Sequence, residues 1–444
     1  MAGQRSNLLL GRGETLLTTT EWPRGRNNKE YFYSIADQRK ALGSGLRAVI
    51  ADAPRGATEF APRGEVTAKL TLHPEFVAKS YFPTSILRES GVRVVGSRVT
   101  EVKPRAMSKQ RDPTPSPSAE LFVTGNQQAF LRFDDLLSRT ALNEGQTKEF
   151  CSLEAIAPYS AVDRLRLDPN RETDWYEAVL HVEPADRDVI TAFDEAVRHL
   201  GGKIERIRQV PGLAFAPLRL PARAVNKLAT FTHLRILRTM PILSGDAASA
   251  ATLAPRGLFD SDPKLPQRGA RAPDLRVAIF DGGILPGAFG PWVTEVTSRG
   301  VPRATADDLE HGTQVTSAYL FGPAPASGET LPVPYTSVDH VRVLPSRSKD
   351  ERVIDVIERV MSTLEDSKRA GRPYALANLS LGPKVPMADD DVHEWTVRLD
   401  QWLAQNSSTL MFIAAGNDGD LDRDLGRVQP PADAINALSI GASD

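Results

Sequence analysis

The chain has little of several things, and each shortage closes off a class of protein. It holds one cysteine, Cys151, in 444 residues. A single thiol cannot build an internal disulfide framework or a cysteine-rich zinc site, and it fits a reducing compartment. Cys151 itself reads as a small buried hydrophobe. Long apolar runs are missing too. Near the start only Leu8-Leu9-Leu10 is apolar, soon interrupted by Arg12 and Glu14, which falls short of a secretory segment, and no window approaches a membrane span. Neither sign of charge is in excess: Lys plus Arg number 54 against 56 Asp plus Glu, a net charge of -2. That balance gives no reason to expect nucleic acid or an anionic membrane as partner. Together these shortages point to a cytoplasmic protein.

What is present is the composition of a soluble globular chain, 41% hydrophobic and 25% charged, at a length that fits two or three domains. Residues 1–60 are polar and Arg-rich, with one helix expected from Ile35 to Ala51, where Ala41, Leu42, Leu46, Val49 and Ile50 share a side and should pack on a neighbour. A βαββαβ pattern then occurs twice. In residues 65–157 strands are expected at 66–72, 92–102, 121–124 and 150–157 and helices at 74–89 and 126–140, with a proline-rich loop over 104–118. In residues 174–240 strands are expected at 176–182, 203–210, 214–220 and 234–239 and helices at 186–200 and 221–229. Pro184, Gly201-Gly202 and Pro211-Gly212 stand where start, stop and turn signals belong. The pattern predicts two ferredoxin-like α+β units, each burying one sheet face under two helices. That arrangement hosts unrelated activities and carries no function by itself. Residues 241–272, rich in Ala, Ser, Gly, Asp and Pro, read as an exposed, cleavable linker.

The third region, 273–444, carries the chemistry. Val277 to Phe280 reads as a strand buried on both faces that ends at Asp281-Gly-Gly283. A buried carboxylate needs a partner, and the C-terminal ends of parallel strands are where α/β sheets hold their chemistry; a turn aspartate before two glycines is the plainer alternative. Thirty residues on comes His311-Gly-Thr313, and Val315, Ala318, Tyr319 and Gly322 recur after it at helical spacing. The histidine therefore stands at or near a helix start, where a surface or capping role is the plainer alternative. A strand (341–344), a helix (351–369), a strand over Ala375 to Gly382, a helix (390–405) and a strand leading into Asn417-Asp-Gly419 follow. The alternation predicts right-handed crossovers and a parallel α/β sheet covered on both faces.

Four motifs in this order resemble those of the subtilisin-like serine proteases, the subtilases: Ile279-Phe-Asp281-Gly-Gly283, His311-Gly-Thr313, Asn378-Leu-Ser-Leu-Gly382 and Ala414-Ala-Gly-Asn417-Asp-Gly419. The resemblance covers about 273–444, with Ala437 to Asp444 similar to the strand after the oxyanion block. It implies a three-layer subtilisin-like domain and a serine endopeptidase acting on polypeptides. In that family's terms His311 is the general base, Asp281 holds its imidazole in one tautomer, and the Asn417 amide donates to the developing oxyanion. The backbone of Ser380, Leu381 and Gly382 would pair with an extended substrate. Asn378 reads as structural.

The departures weigh as much. No Gly-Thr-Ser occurs in the chain, so the nucleophile is expected beyond residue 444 and this polypeptide is expected not to hydrolyse peptides unaided. Ser443 lacks the motif and reads as part of a core strand. Truncation is preferred over a processed fragment or a pseudoprotease, because a sheet ending here leaves an open edge and an unwalled cleft. Asp-Gly-Gly replaces the commoner Asp-Ser-Gly or Asp-Thr-Gly, and Gln314 stands where a second histidine is frequent. The second α+β unit resembles a subtilase propeptide, which assists folding and blocks the cleft with its tail; 241–256 would then be the tail and candidate self-cleavage segment. Some bacterial subtilases with long N-terminal regions resembling this one accompany an AAA ATPase, which is the partner the resemblance implies. No cofactor is expected; calcium is frequent in the family, but no ligand set matches residue by residue, and Asp418, Asp420 and Asp422 read as a solvated acidic loop. Two alternatives stay open: a catalytically inactive subtilase-fold binding or regulatory protein, and a ferredoxin-like ligand-binding protein joined to an unrelated α/β domain.

Overall fold

The computed structural model describes residues 30–107, 112–243, 264–301, 304, 306–322, 329–344, 351–383, 386–388, 391–422 and 425–441. The first helix, α1 (Ile35–Asp52), begins at Ser34, whose hydroxyl accepts from the Asp37 amide while the Asp37 carboxylate accepts from the Ser34 amide. This reciprocal cap satisfies end groups that the helix cannot pair internally. The apolar side of α1, with Leu42, Leu46 and Val49, lies in the core of the first sheet, so the helix belongs to that unit.

That sheet contains β1 (Glu65–Leu72), β2 (Arg93–Val102), β3 (Ser116–Asn126) and β4 (Leu153–Pro158) in the antiparallel order β2-β3-β1-β4. Helices α2 (Thr84–Ser90), α3 (Gln127–Ser138) and α4 (Glu144–Cys151) share its core. Two boundaries differ from expectation for local reasons. The helix read over 74–89 becomes two 3₁₀ turns, Pro74–Phe76 and Lys79–Tyr81, followed by α2, since Pro83 has no amide to carry a helix through. The strand read from Phe150 starts at Leu153, because Asn143 and Gln146 cap each other's backbone and launch α4. The proline-rich loop is also shorter than read: Ser116 and Pro117 pair with Val102 and Glu101 on β2, beyond the end of β1, where Pro leaves no ladder bond unmade.

The second sheet comprises β5 (Leu165–Arg166), β6 (Trp175–His181), β7 (Lys203–Ile204), β8 (Arg208–Val210), β9 (Leu213–Arg219) and β10 (Leu234–Thr239) in the order β5-β10-β6-β9-β7, with β8 paired to β9. Helices α5 (Arg187–His199) and α6 (Val225–Leu228) cover one face. The single strand read over 203–210 is thus broken into two. On the other face Val179, Phe215 and Ile236 meet Val392 and Val397 of the third region. The first sheet packs here as well, with the Phe122 ring 5.0 Å from that of His181.

The third region is a parallel sheet of β12 (Val277–Asp281), β13 (Val293–Thr297), β14 (Val338–Arg342), β16 (Leu376–Leu379), β17 (Leu410–Ala414) and β18 (Leu438–Ile440), ordered β13-β14-β12-β16-β17-β18. Val277 and Ile279 pack with Leu320 and Phe321 of α7 (Ala306–Phe321), while Ala278 and Phe280 pack with α8 (Val353–Arg369) and α9 (Glu394–Gln405) on the opposite face. This α/β layering explains why the Asp281 strand is apolar without alternation. No described helix is long and apolar enough to cross a membrane.

The segment read as an exposed linker is paired at both described ends. Strand β11 (Ile242–Leu243) runs antiparallel to β15 (Glu351–Arg352), and Leu243 is 1% exposed in the core of the third region. Lys264 bridges to Thr330, and the amides of Arg271 and Ala272 donate to the carbonyls of Pro334 and Tyr335. Residues 244–263, with most of the candidate self-cleavage segment 241–256, and Ser443 lie outside the described residues.

Candidate active site

Asp281 is the last residue of the central strand β12 and is 2% exposed. Its backbone carbonyl takes the Val343 amide and its Oδ1 takes the Gly282 amide at 2.7 Å, so main chain and side chain are both fixed. His311 lies on α7, and its Nδ1 is 3.0 Å from Asp281 Oδ1 and 2.9 Å from Oδ2. The helix begins at Ala306, so His311 sits in its second turn, near the helix start.

The glycines and threonine around the pair have mechanical reasons. A Cβ on Gly312 would stand 2.1 Å from the Gly283 carbonyl oxygen and 2.8 Å from the His340 ring, so only glycine lets α7 approach the strand end this closely. Gly283 has φ +127°, and a Cβ there would meet Leu309 at 2.6 Å. The Thr313 hydroxyl donates to the Leu309 carbonyl and accepts from the Leu285 amide, tying the Asp281 loop to the histidine helix.

Two supports were not singled out in the sequence. Arg342, at the end of β14 and 3% exposed, donates Nε to the Gly282 carbonyl at 2.8 Å. His340, on the same strand and fully buried, shares a 2.9 Å hydrogen bond between Nδ1 and the Thr316 hydroxyl. Burial pushes the His340 pKa down against the opposing pull of the Asp281 charge, so it packs behind the pair as a neutral ring. Only its place on a strand flanking β12, a tertiary fact, could have pointed to it.

The other candidates reach the same edge of the sheet. Phe280 is level with Leu379, and Leu379 with Ile413, so the ends of β12, β16 and β17 lie side by side. Ser380, Leu381 and Gly382 follow β16; the Ser380 hydroxyl accepts from Asn378 Nδ2 at 2.8 Å, which fits the structural reading of Asn378. Asn417 follows β17 in an exposed turn set by Gly416 at φ +112°. It stands two strands from Asp281, roughly 10 Å at the usual strand spacing. Asp281 and His311 are therefore in direct contact, while Ser380 to Gly382 and Asn417 flank them along the edge. Among the described residues no cluster of three or more His, Cys, Asp or Glu could hold a metal ion.

The N-terminal half reaches this edge too. Leu243 forms a bridge to Pro383, next to Gly382, and β11 lies against β15 on its other side. The second sheet is anchored by buried charge: Arg238 Nε donates to Glu177 at 2.7 Å and its Nη1 lies 3.0 Å from His393, while Arg235 donates to Asp391 at 2.7 Å. Arg206 and Arg208 both reach Glu358 of α8 and Glu394 of α9.

A family model described as Subtilase family matches residues 287–444, a span that takes in His311, Ser380 to Gly382 and Asn417 and begins just after Asp281. No curated protein matches the chain. Among solved structures, a mutant of the protease domain of PatA is 26% identical over 40% of this chain and 60% of its own length, with a TM-score of 0.30. The subtilase cytotoxin SubAB assembly is 18% identical over 39% of this chain and 56% of that one, at 0.27. The CspB protease of Clostridium perfringens is 12% identical over 34% and 37%, at 0.24. The chain thus spans less than two thirds of each of these structures. Residues 287–444 of this chain are thus similar to the subtilase family, and His311 within that span meets Asp281, just ahead of it, at the carboxyl edge of a parallel sheet.

Proposed function

We propose that the chain carries most of the machinery of a subtilisin-type serine endopeptidase, with the nucleophile supplied by a serine beyond residue 444. The observation that carries this reading is the contact of His311 Nδ1 with Asp281. A carboxylate on Nδ1 holds the proton there and leaves Nε2 as the base. Nε2 would take the serine hydroxyl proton as the oxygen attacks the peptide carbonyl, and would then return that proton to the leaving amine. Water repeats the sequence on the acyl-enzyme. The Asn417 amide would donate to the carbonyl oxygen as it gains charge, and the Ser380 to Gly382 backbone would align the substrate as an added strand.

The strand orders, each with its first and third elements side by side, support reading 65–157 and 174–240 as ferredoxin-like units. The second of them, seated on α8 and α9 with residues 240–243 threaded between β15 and Pro383, behaves as a propeptide whose tail covers the substrate edge. An AAA ATPase partner and a cytoplasmic setting complete the proposal.

Reading the codons that follow Asp444 is the first test. Gly-Thr-Ser with a proline a few residues later supports the enzyme; a stop codon overturns it in favour of an inactive binding protein. A fluorophosphonate should then label the longer chain once the second unit is removed, and His311→Ala should abolish labelling. Failure of the wild-type longer chain to react overturns the catalytic reading.

A further inference from the structure

A cavity of about 560 Å3 lies on the seam between the second and third units, within the usual range for ligand pockets, about 300–1,000 Å3. Neither Asp281 nor His311 lines it. Its walls are chiefly apolar, with Leu167, Pro169 and Pro241 from the second unit and its tail and Pro386, Met387 and Leu425 from the third region. Leu167 is left 42% exposed, although an aliphatic side chain gains by burial. Three of these six residues are prolines, whose rings have little freedom to turn inward and fill the space.

The walls are also held in place. Arg171 Nη1 donates to the Met240 carbonyl at 2.7 Å, and the Asp168 amide donates to the Thr239 hydroxyl at 2.9 Å, which ties the loop after β5 to the end of β10. Across the seam Arg238 Nη2 donates to the Val392 carbonyl at 2.7 Å. The cavity is therefore formed before anything enters it, and a ligand meets little ordering cost.

Arg166 supplies the polar edge. Its Nη1 donates to the carbonyls of Asp163 and Leu165 at 3.0 and 2.9 Å, which fixes the plane of the guanidinium. Its Nε and Nη2 make no hydrogen bond, and neither is sealed from solvent. No described carboxylate forms an ion pair with it: Asp163 holds Lys69 and Ser160, and Asp168, which also lines the cavity, takes the Asn170 amide on Oδ1. The Nε and Nη2 donors are parallel and match the two oxygens of a carboxylate. With the Asp168 charge on the same wall, one negative charge is accommodated better than two.

We propose that this cavity binds an aliphatic monocarboxylate of medium chain length, its carboxylate on the Nε and Nη2 edge of Arg166 and its hydrocarbon between the two apolar walls. Proline carries no amide donor, so a peptide lying here would leave its own carbonyls unpaired, whereas a plain hydrocarbon loses nothing. The ligand touches the second and third units together and so holds them in this seated arrangement. The site uses no catalytic group and stands apart from the endopeptidase reading.

The test follows the full chain by calorimetry and thermal unfolding with butyrate, hexanoate, octanoate and decanoate, with octanol and octylamine, and with inorganic phosphate. Octanoate should bind once per chain at millimolar concentration or tighter and raise the unfolding temperature. Affinity should rise about fourfold for each added methylene until the cavity is full. Arg166→Gln should weaken octanoate about tenfold or more, the scale of a hydrogen bond to a charged group, and bring it level with octanol. Leu167→Asp, at a position open enough to keep the fold, should weaken octanoate as well, and it carries the test if Arg166→Gln does not fold. Absence of saturable binding by every acid, several acids bound per chain, octanol, octylamine or phosphate binding as tightly as octanoate, or an affinity that neither variant changes overturns the proposal.

Discussion

His311 Nδ1 lies 2.9 and 3.0 Å from the two carboxylate oxygens of Asp281, a residue thirty positions earlier in the chain. The aspartate is nearly out of solvent while the side chain of the histidine is 25% exposed, so one end of the imidazole is fixed and the other can meet a reactant. In a chain that carries the serine, Asp281→Asn should lower peptide hydrolysis by about 10⁴-fold while leaving the fold intact, because the amide favours the wrong tautomer. This magnitude comes from serine proteases with the same pairing, and steady-state kinetics checks it. A fall of less than tenfold would mean that Asp281 does not orient the base.

Gly312→Ala probes the approach of helix to strand. The new methyl group would stand 2.1 Å from the Gly283 carbonyl oxygen, a backbone atom that cannot swing aside. The expected loss is about 1–3 kcal/mol of stability, as for other overpacked sites, together with displacement of His311. Urea denaturation measures the first, and the loss of fluorophosphonate labelling in the longer chain reports the second. A variant as stable as the parent would show that α7 sits farther out.

The seam between the second and third units contains Arg238 and Glu177, both under 5% exposed in their side chains and 2.7 Å apart. Removing one member of such a pair strands the other charge away from water. Glu177→Gln is expected to cost about 3–5 kcal/mol, read as a lower urea midpoint. A loss under about 1 kcal/mol, the level of an exposed pair, would place this contact at the surface.

Acid should weaken the protein well before its carboxylates titrate. Burial lowers the pKa of His181, His340 and His393, with the Arg235 charge adding to the effect at His181 and the Arg238 charge at His393. Each is neutral when folded but takes a proton near pH 6.5 when unfolded, so the unfolded state binds more protons as pH falls. Stability from these groups is complete above about pH 6.5 and drains below it, by up to roughly 1.4 kcal/mol per pH unit for each group. Urea midpoints followed from about pH 8 to pH 5 should fall, and less steeply for His340→Gln. A flat profile in that range would show that the three rings are hydrated.

How far the sequence could be read depended on the range of the interactions involved. Val277 to Phe280 had to be a strand because four apolar residues end at a charge and two glycines, and α1 was visible in the spacing of Leu42, Leu46 and Val49. The motif around His311 was legible as chemistry, yet its depth in α7 was not, since helix starts depend on end groups several residues upstream. The supports were harder still. Arg342 and His340 matter only because β14 lies beside β12, a neighbour chosen by the whole sheet.

By itself the sequence determined which short stretches are strands, helices and turns and which residue types could activate a hydroxyl, because those properties follow from local periodicity and side-chain chemistry. Only the tertiary structure decided that Asp281 meets His311 and that Pro241 to Leu243 is a paired strand end instead of a free linker. The reason is physical: hydrogen bonds and burial act over a few ångströms in space, and the chain carries no local record of which distant segment will occupy those ångströms.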